Sequence, residues 1–367
     1  MTARPGYRVV RARPDQVRAE LERLWADNLT VEGGVRAKYD WLYRDAPLPA
    51  DAVFMLRTDD GAAVGTAGIG MRDVQLGGRL VRAGVVADLA VDKAHRSVGP
   101  ALALVREAKQ WGEGAVALLY GFPNKLAQGV FKRVGYQQLG AMARYARPLR
   151  HRQYAGRLEE RHLHRAPAAL RGWLIGAAQQ PGLALAAGLA LDARKLGRDL
   201  PRAWAARQLK HGFVEGPDAR LDALWARARG EYAIVAARTL RFLAWRFPPR
   251  PGRTWRLAVE RGTDALRAYA VVDRVDGIAY IRDLFGHKAD VVTLLDRLPL
   301  GLYRTGAASM SMRYLGASWL SEALLARGFA VRQADRMIAI APGLPVAGGP
   351  ELRDVSAWHL TDADEDT

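Results

Sequence analysis

The stretch from Asp88 to Tyr136 constrains this chain more than any other part of its 367 residues. An apolar strand, Asp88-Leu-Ala-Val91, runs into a short polar loop, and the loop opens a helix at Arg96-Ser-Val-Gly99-Pro-Ala101. A helix N-terminus has unpaired backbone N–H groups and the positive end of the macrodipole, so it favours an anion such as phosphate. A second apolar strand follows and exits through Tyr120-Gly-Phe-Pro-Asn124, and the next helix closes on Val130-Phe-Lys-Arg-Val-Gly135-Tyr136. From the residues alone, the bland alternative is an ordinary βα unit whose glycine only eases a turn.

The spacing Arg-x-x-Gly-x-Ala, Arg96 to Ala101, resembles the pyrophosphate-binding loop of the GNAT superfamily, the acyl-CoA-dependent N-acyltransferases. Asn124, Ala127 and Gly135-Tyr136 resemble the second signature of that superfamily. The resemblance implies an α/β (α+β) fold in which a central mixed, mostly antiparallel sheet is flanked by helices. It also implies acetyl-CoA or another acyl-CoA as the acyl donor.

The chain reads as a duplication. Leu21-Glu-Arg-Leu24-Trp25 recurs as Leu221-Asp-Ala-Leu224-Trp225, and Trp41-Leu-Tyr43-Arg44 as Leu243-Ala-Trp245-Arg246. Asp88-Leu89 recurs as Asp283-Leu284, and Gly135-Tyr136 as Gly328-Phe329. The anchors keep their order, which predicts two GNAT-like domains in tandem. The expected layout is 1–149 for the first domain, 150–216 for a basic helical connector, 217–345 for a degenerate second domain and 346–367 for an acidic tail. Where the second domain should carry its loop, the chain reads Phe285-Gly-His287-Lys-Ala-Asp290, so only the first domain is expected to bind CoA.

Charge is concentrated in the connector. The net charge is +17, and residues 144–210 hold 14 lysines and arginines against 4 acids. A positive field attracts CoA, anionic lipid or nucleic acid. Residues 172–191 carry no charge, but a Gln179-Gln-Pro-Gly182 break leaves each half too short to span a bilayer. A helical hairpin is expected, its apolar face packed on a domain or laid on a membrane surface between basic flanks. The absence of cysteine excludes disulfides, cysteine nucleophiles and thiolate metal sites. The seven histidines show no paired ligand spacing, so no metal site is predicted. The opening Met-Thr-Ala-Arg-Pro-Gly has no apolar signal region, so a cytoplasmic protein is expected, peripheral at the inner membrane face if the connector touches lipid.

Within the superfamily frame, Leu89, Ala90, Val91, Arg96, Ser97, Val98, Gly99, Ala101, Leu102, Asn124 and Phe131 are the expected cofactor contacts. Pro100 removes one N–H that most members have. Asp88 is the first candidate base, since a carboxylate on a buried strand suits that task; a structural hydrogen bond is its competing role, favoured by the matching Asp283. His95, beside the loop, could titrate near neutrality. The usual tyrosine acid is replaced by Phe131, which leaves Tyr120, Tyr136 or water to donate a proton. Trp41, Tyr43, Arg44 and Phe122 fall on the acceptor side, where aromatics could stack on a sugar or cap an acyl chain, or simply pack the core.

The whole chain also resembles tandem-GNAT proteins of bacterial cell-envelope and exopolysaccharide gene neighbourhoods, through Tyr120-Gly-Phe-Pro-Asn124 and Trp358-His-Leu-Thr-Asp362. That resemblance implies an amino sugar or another small amine as acceptor. Two readings compete with acyl transfer. One is a FemABX-like aminoacyl transferase using aminoacyl-tRNA, although an intact CoA-type loop is not expected there and nucleic acid is not the expected partner. The other is a CoA-binding scaffold without turnover.

Overall fold

The computed structural model describes residues 6–31, 33–50, 52–154, 176 and 180–365. Its centre is one sheet with the order β1-β2-β3-β4-β5-β13-β6-β12-β11-β10-β9-β7. The strands of the first half are β1 (Tyr7–Ala12), β2 (Val53–Thr58), β3 (Ala63–Leu76), β4 (Arg79–Val91), β5 (Leu118–Gly121) and β6 (Gln137–Pro148). Those of the second half are β7 (Leu209–Val214), β9 (Arg253–Glu260), β10 (Leu266–Val275), β11 (Ile278–Gly286), β12 (Ser309–Gly316) and β13 (Ala330–Pro342). Two short strands, β8 (Ile234–Ala236) and β14 (His359–Leu360), lie off this path on β3 and β12.

The order reads the same from both ends. β4 and β5 are parallel, as are β11 and β12, and the remaining neighbours along the path are antiparallel. At the centre the sixth strands trade places: β13 pairs with β5, β6 pairs with β12, and the two pair with each other. Each half therefore completes its sheet with a strand from the other.

Helices cover both faces. α3 (Val98–Ala115) and α4 (Lys125–Arg133) pack over one face through Leu104, Val105, Ala108 and Phe131. α1 (Arg18–Asn28) buries Leu21, Leu24 and Trp25 on the opposite face, with α2 (Val35–Tyr39) and the single π-type turn Asp40–Arg44 beside it. This stripe at positions i, i+3 and i+4 is the amphipathic pattern that predicts the helix.

Several elements differ from the sequence reading. β1 and the strand Leu209–Val214, the latter inside the segment read as a helical connector, are edge strands. The predicted helical hairpin begins in residues outside those described; its second arm is one helix, α5 (Pro181–Ala205), which starts at the expected break. The acidic tail is not an exposed appendage: Asp362, Asp364 and Glu365 are all buried.

The halves meet at a reciprocal contact. The Trp41 and Trp245 rings stack at 4.5 Å and 7°. Each indole N–H donates to the other residue's carbonyl, at 3.3 Å from Trp41 and 2.6 Å from Trp245.

Candidate functional site

β4 and β5 run side by side from Ala83–Leu118 to Val86–Gly121, then part. β4 continues to Val91, whereas β5 ends at Gly121 and leaves through Phe122 and Pro123. Leu89, Ala90 and Val91, expected as cofactor contacts, thus border a wedge between two parallel strands. Gly121 allows the close approach at its apex, since a Cβ there would lie 3.3 Å from both the Val86 carbonyl and the Phe131 ring.

At the mouth of the wedge the loop 92–97 turns into α3. Ser97 is the N-cap but makes no side-chain cap bond, and among the described residues no side chain caps this helix N-terminus. Gly99 is in the first turn, and a Cβ there would meet nothing within 4 Å. Pro100, at the third helical position, has no N–H to offer, as expected. The Arg96 guanidinium bridges the Val91 carbonyl (3.1 Å) and the Asn28 amide oxygen (3.0 Å), which fixes the loop across the end of α1. These features fit a diphosphate: free donors, a cation alongside and open space at the glycine.

The strand at the wedge is irregular at one position. Thr66 pairs with Ala90 and Gly68 with Ala87, so Asp88 and Leu89 together face Ala67 in a bulge. Asp88 sits at φ 55°, a left-handed conformation in which aspartate is among the better-tolerated side chains. Its carboxylate is buried. Oδ1 lies 2.9 Å from the Lys38 ammonium, and Oδ2 accepts the Tyr43 hydroxyl at 3.2 Å. Gly68 makes room for this: a Cβ there would be 2.2 Å from the Tyr43 oxygen. Burial, reinforced by the Asp88 charge, pushes the Tyr43 phenol well above its ordinary range, so it stays a donor.

Tyr43 also forms part of an open cleft of about 740 Å³ whose walls include Arg13, Arg18, Tyr39 and Arg44. The residues expected on the acceptor side therefore divide. Tyr43 and Arg44 line the cleft, Trp41 stacks on Trp245 at the junction of the halves, and Phe122 is buried where β5 exits. Lys38 was singled out by no motif; its position one turn before the Tyr43 segment is the only signal.

The other expected site residues are more structural than the sequence suggested. His95 Nδ1 lies 2.9 Å from the Tyr7 hydroxyl, which ties the loop to β1. The Tyr120 ring is buried edge-on to Phe122 and Trp358. Asn124 caps α4, its Oδ1 accepting from Leu126 and Ala127 at 3.1 and 3.0 Å. Phe131 packs on Tyr136 at 4.9 Å. Leu102 and Ala101 are half-buried in the first turns of α3.

The second half carries the same wedge with its contents replaced. β11 pairs with β12 only from Ile278 to Ile281, and β14 enters the gap. Leu360 and Gly316's partner His359 bond to β12, while His359 Nε2 reaches the Leu284 carbonyl on β11 at 2.9 Å. Thr361 donates to Asp283, the counterpart of Asp88, at 2.6 Å. The connection is short as well: β11 ends at Gly286 and α6 (Lys288–Arg304) begins two residues later. The Glu231 carboxylate caps this helix, accepting the Lys288 N–H at 2.8 Å and meeting His287 Nδ1 at 2.6 Å. Burial opposes its charge, but those two contacts hold Glu231 below the usual carboxylate range. An anion would have to displace this carboxylate and the tail together.

One consequence is pH-dependent. Burial, with the nearby Arg238 charge, pushes His359 down to about 4. The unfolded chain then binds the proton first as pH falls below the ordinary value near 6.5, so stability is full above that and is lost towards pH 4. The His359 contribution to this loss is on the order of 2 kcal/mol by pH 5. Thermal midpoints measured from pH 7 to 5 are expected to fall, and His359→Gln to flatten part of that fall; equal slopes in both proteins would refute the assignment.

The sequence model of the acetyltransferase (GNAT) family matches residues 18–136, the span that holds α1, Asp88, the loop and α4. Over that span, in the first half of the chain, the sequence matches a GNAT acetyltransferase domain. The fold is shared by solved structures at 12% identity. One is a conserved Enterococcus faecalis protein described as "Probable N-Acyltransferase", with a TM-score of 0.59 over 92% of this chain and 72% of that one. Another is a GCN5-related N-acetyltransferase from Anabaena variabilis, with a TM-score of 0.60 over 90% and 72%. A third, of the same description, comes from Kribbella flavida, with a TM-score of 0.55 over 92% and 71%. No curated protein sequence matches the chain.

Proposed function

We propose that the first half is an acyl-CoA-dependent N-acyltransferase that moves an acyl group, acetyl in the first instance, to a primary amine on a small molecule such as an amino sugar. The observation that carries this reading is the contrast between the halves: one wedge and helix N-terminus stand open, and the other pair is filled by the chain itself. Arg96 and the backbone of 97–101 would hold the diphosphate, and Leu89, Ala90 and Val91 the arm of the donor. The amine would enter along the Tyr43 and Arg44 cleft. The C–N bond forms as the C–S bond breaks; the amine proton passes to Asp88 directly or through water, and the thiolate leaves. Lys38 balances the Asp88 charge and holds it at the bulge. We take the swapped, palindromic strand order as the mark of tandem duplication, and take the enzyme to act in the cytoplasm.

Calorimetric titration of acetyl-CoA tests this. Wild type is expected to bind one molecule per chain, and Gly99→Trp, whose side chain fills the anion site, to bind none. A stoichiometry of two would overturn the view that the second wedge is closed. No binding of acetyl-, palmitoyl- or free CoA to the folded protein would refute the donor site. Binding without turnover over a broad amine panel would favour the scaffold reading, for which the buried Lys38–Asp88 pair is the supporting observation.

A further inference from the structure

α5 faces the wrong way for a helix of a soluble protein. Its inward side carries its only two acids: Asp199 pairs with Arg147 at 2.5 Å, and Asp192 with His151 Nδ1 at 2.9 Å. The rest of that side carries Ala184, Gly188 and Ala203, all buried, with Lys195 and Leu196 half-buried among them. A Cβ on Gly188 would lie 2.5 Å from the Arg152 Cα, so the helix is seated closely. The outward side carries the leucines. Leu183 is 51% exposed, Leu189 44%, Leu200 50% and Trp204 65%. At 100° per residue they fall on one face with the small residues at 186, 190, 193 and 197 between them. Arg194 and Arg198 are exposed along one margin of this face, and the Arg207 guanidinium lies 3.4 Å from the centre of the Trp204 ring.

We propose that this face docks the protein on an anionic lipid bilayer, an inference that does not depend on the transfer chemistry. The charge pattern selects the partner. On this face α5 itself offers cations and no carboxylate, because both of its acids are turned inward. A nucleic acid would answer the arginines but not the leucines; a bilayer surface answers both, with acyl chains for the apolar face and headgroup phosphates for its margin. Trp204 would sit at the headgroup level, where tryptophan is enriched. Among the described residues no helix is long and apolar enough to cross a membrane. α5 would therefore lie in the plane of the interface.

The test is sedimentation of the full chain with vesicles of phosphatidylcholine alone or with phosphatidylglycerol added. Binding to the anionic vesicles is expected to be about ten-fold tighter or more, and to weaken with salt. Leu189→Glu with Trp204→Glu should abolish binding without lowering the thermal midpoint. Arg194→Glu with Arg198→Glu, which leaves the leucines in place, should remove the preference for anionic lipid. Failure of the folded wild type to sediment with anionic vesicles would overturn the proposal, as would variants that bind like wild type. A lower midpoint in the first variant would show that the chain covers this face itself. A dimer that the first variant makes monomeric, without vesicle binding, would assign the face to a second copy; either result would likewise overturn it.

Discussion

Replacing Asp364 with alanine is expected to cost about 3–5 kcal/mol of unfolding free energy, the range for breaking a buried ion pair from one side. Arg238 is fully buried, and so are both of its carboxylate partners. It reaches Asp283 from Nε at 3.0 Å and Asp364 from two nitrogens, at 3.0 and 2.7 Å. Burial opposes its charge, but the two carboxylates outweigh that and hold the guanidinium charged. Removing Asp364 leaves Arg238 half-compensated in the core and also breaks the capping box in which Asp364 accepts the Thr361 N–H at 2.9 Å. Urea unfolding of Asp364→Ala and Asp364→Asn separates the contributions: asparagine keeps the volume and loses the charge. A loss below about 1 kcal/mol in the alanine variant would mean that the tail is not part of the core.

Asp88→Asn is expected to lower kcat for acyl transfer by about 10²–10⁴, the range for a lost general base, while acetyl-CoA affinity is retained. The choice of asparagine follows from the backbone. At φ 55° alanine would add conformational strain to the loss of the Lys38 partner, so Asp88→Ala would confound folding with chemistry. Asparagine tolerates the conformation and can still accept from Tyr43. Unchanged kcat at unchanged stability would assign Asp88 the structural role that its counterpart Asp283 plays in the other half.

The parts legible in the sequence were those with local signals. The βα loop from Arg96 needs only neighbouring residues to be recognised, and a helix opens beside it, at Val98. The tail was illegible because its partners are remote: Asp362 meets Arg282 and Arg313, and Glu365 meets Arg313 and Arg336. A cluster of acids reads as solvated unless those arginines can be placed beside it. β1 was missed because its burial alternates only partly and two of its six residues are arginine. Lys38 was missed because a lysine before an aromatic segment is an ordinary surface pattern; only the Asp88 bulge turns it inward. For Trp41 the sequence left an acceptor contact and core packing both open; the fold adds that its ring stacks on Trp245.

The exchange of β6 and β13 sets an order of events during synthesis. β5 is made early, but its neighbour β13 ends only at Pro342. At ordinary rates of synthesis, the nearly two hundred residues between the end of β6 and the end of β13 take roughly 10–40 s to emerge. For that interval β5 has an open hydrogen-bonding edge and β6 has neither of its final neighbours. Unpaired edges of this kind invite pairing with other chains. The two halves of the sheet therefore cannot mature one after the other; the first waits, incomplete, for the last strand of the second.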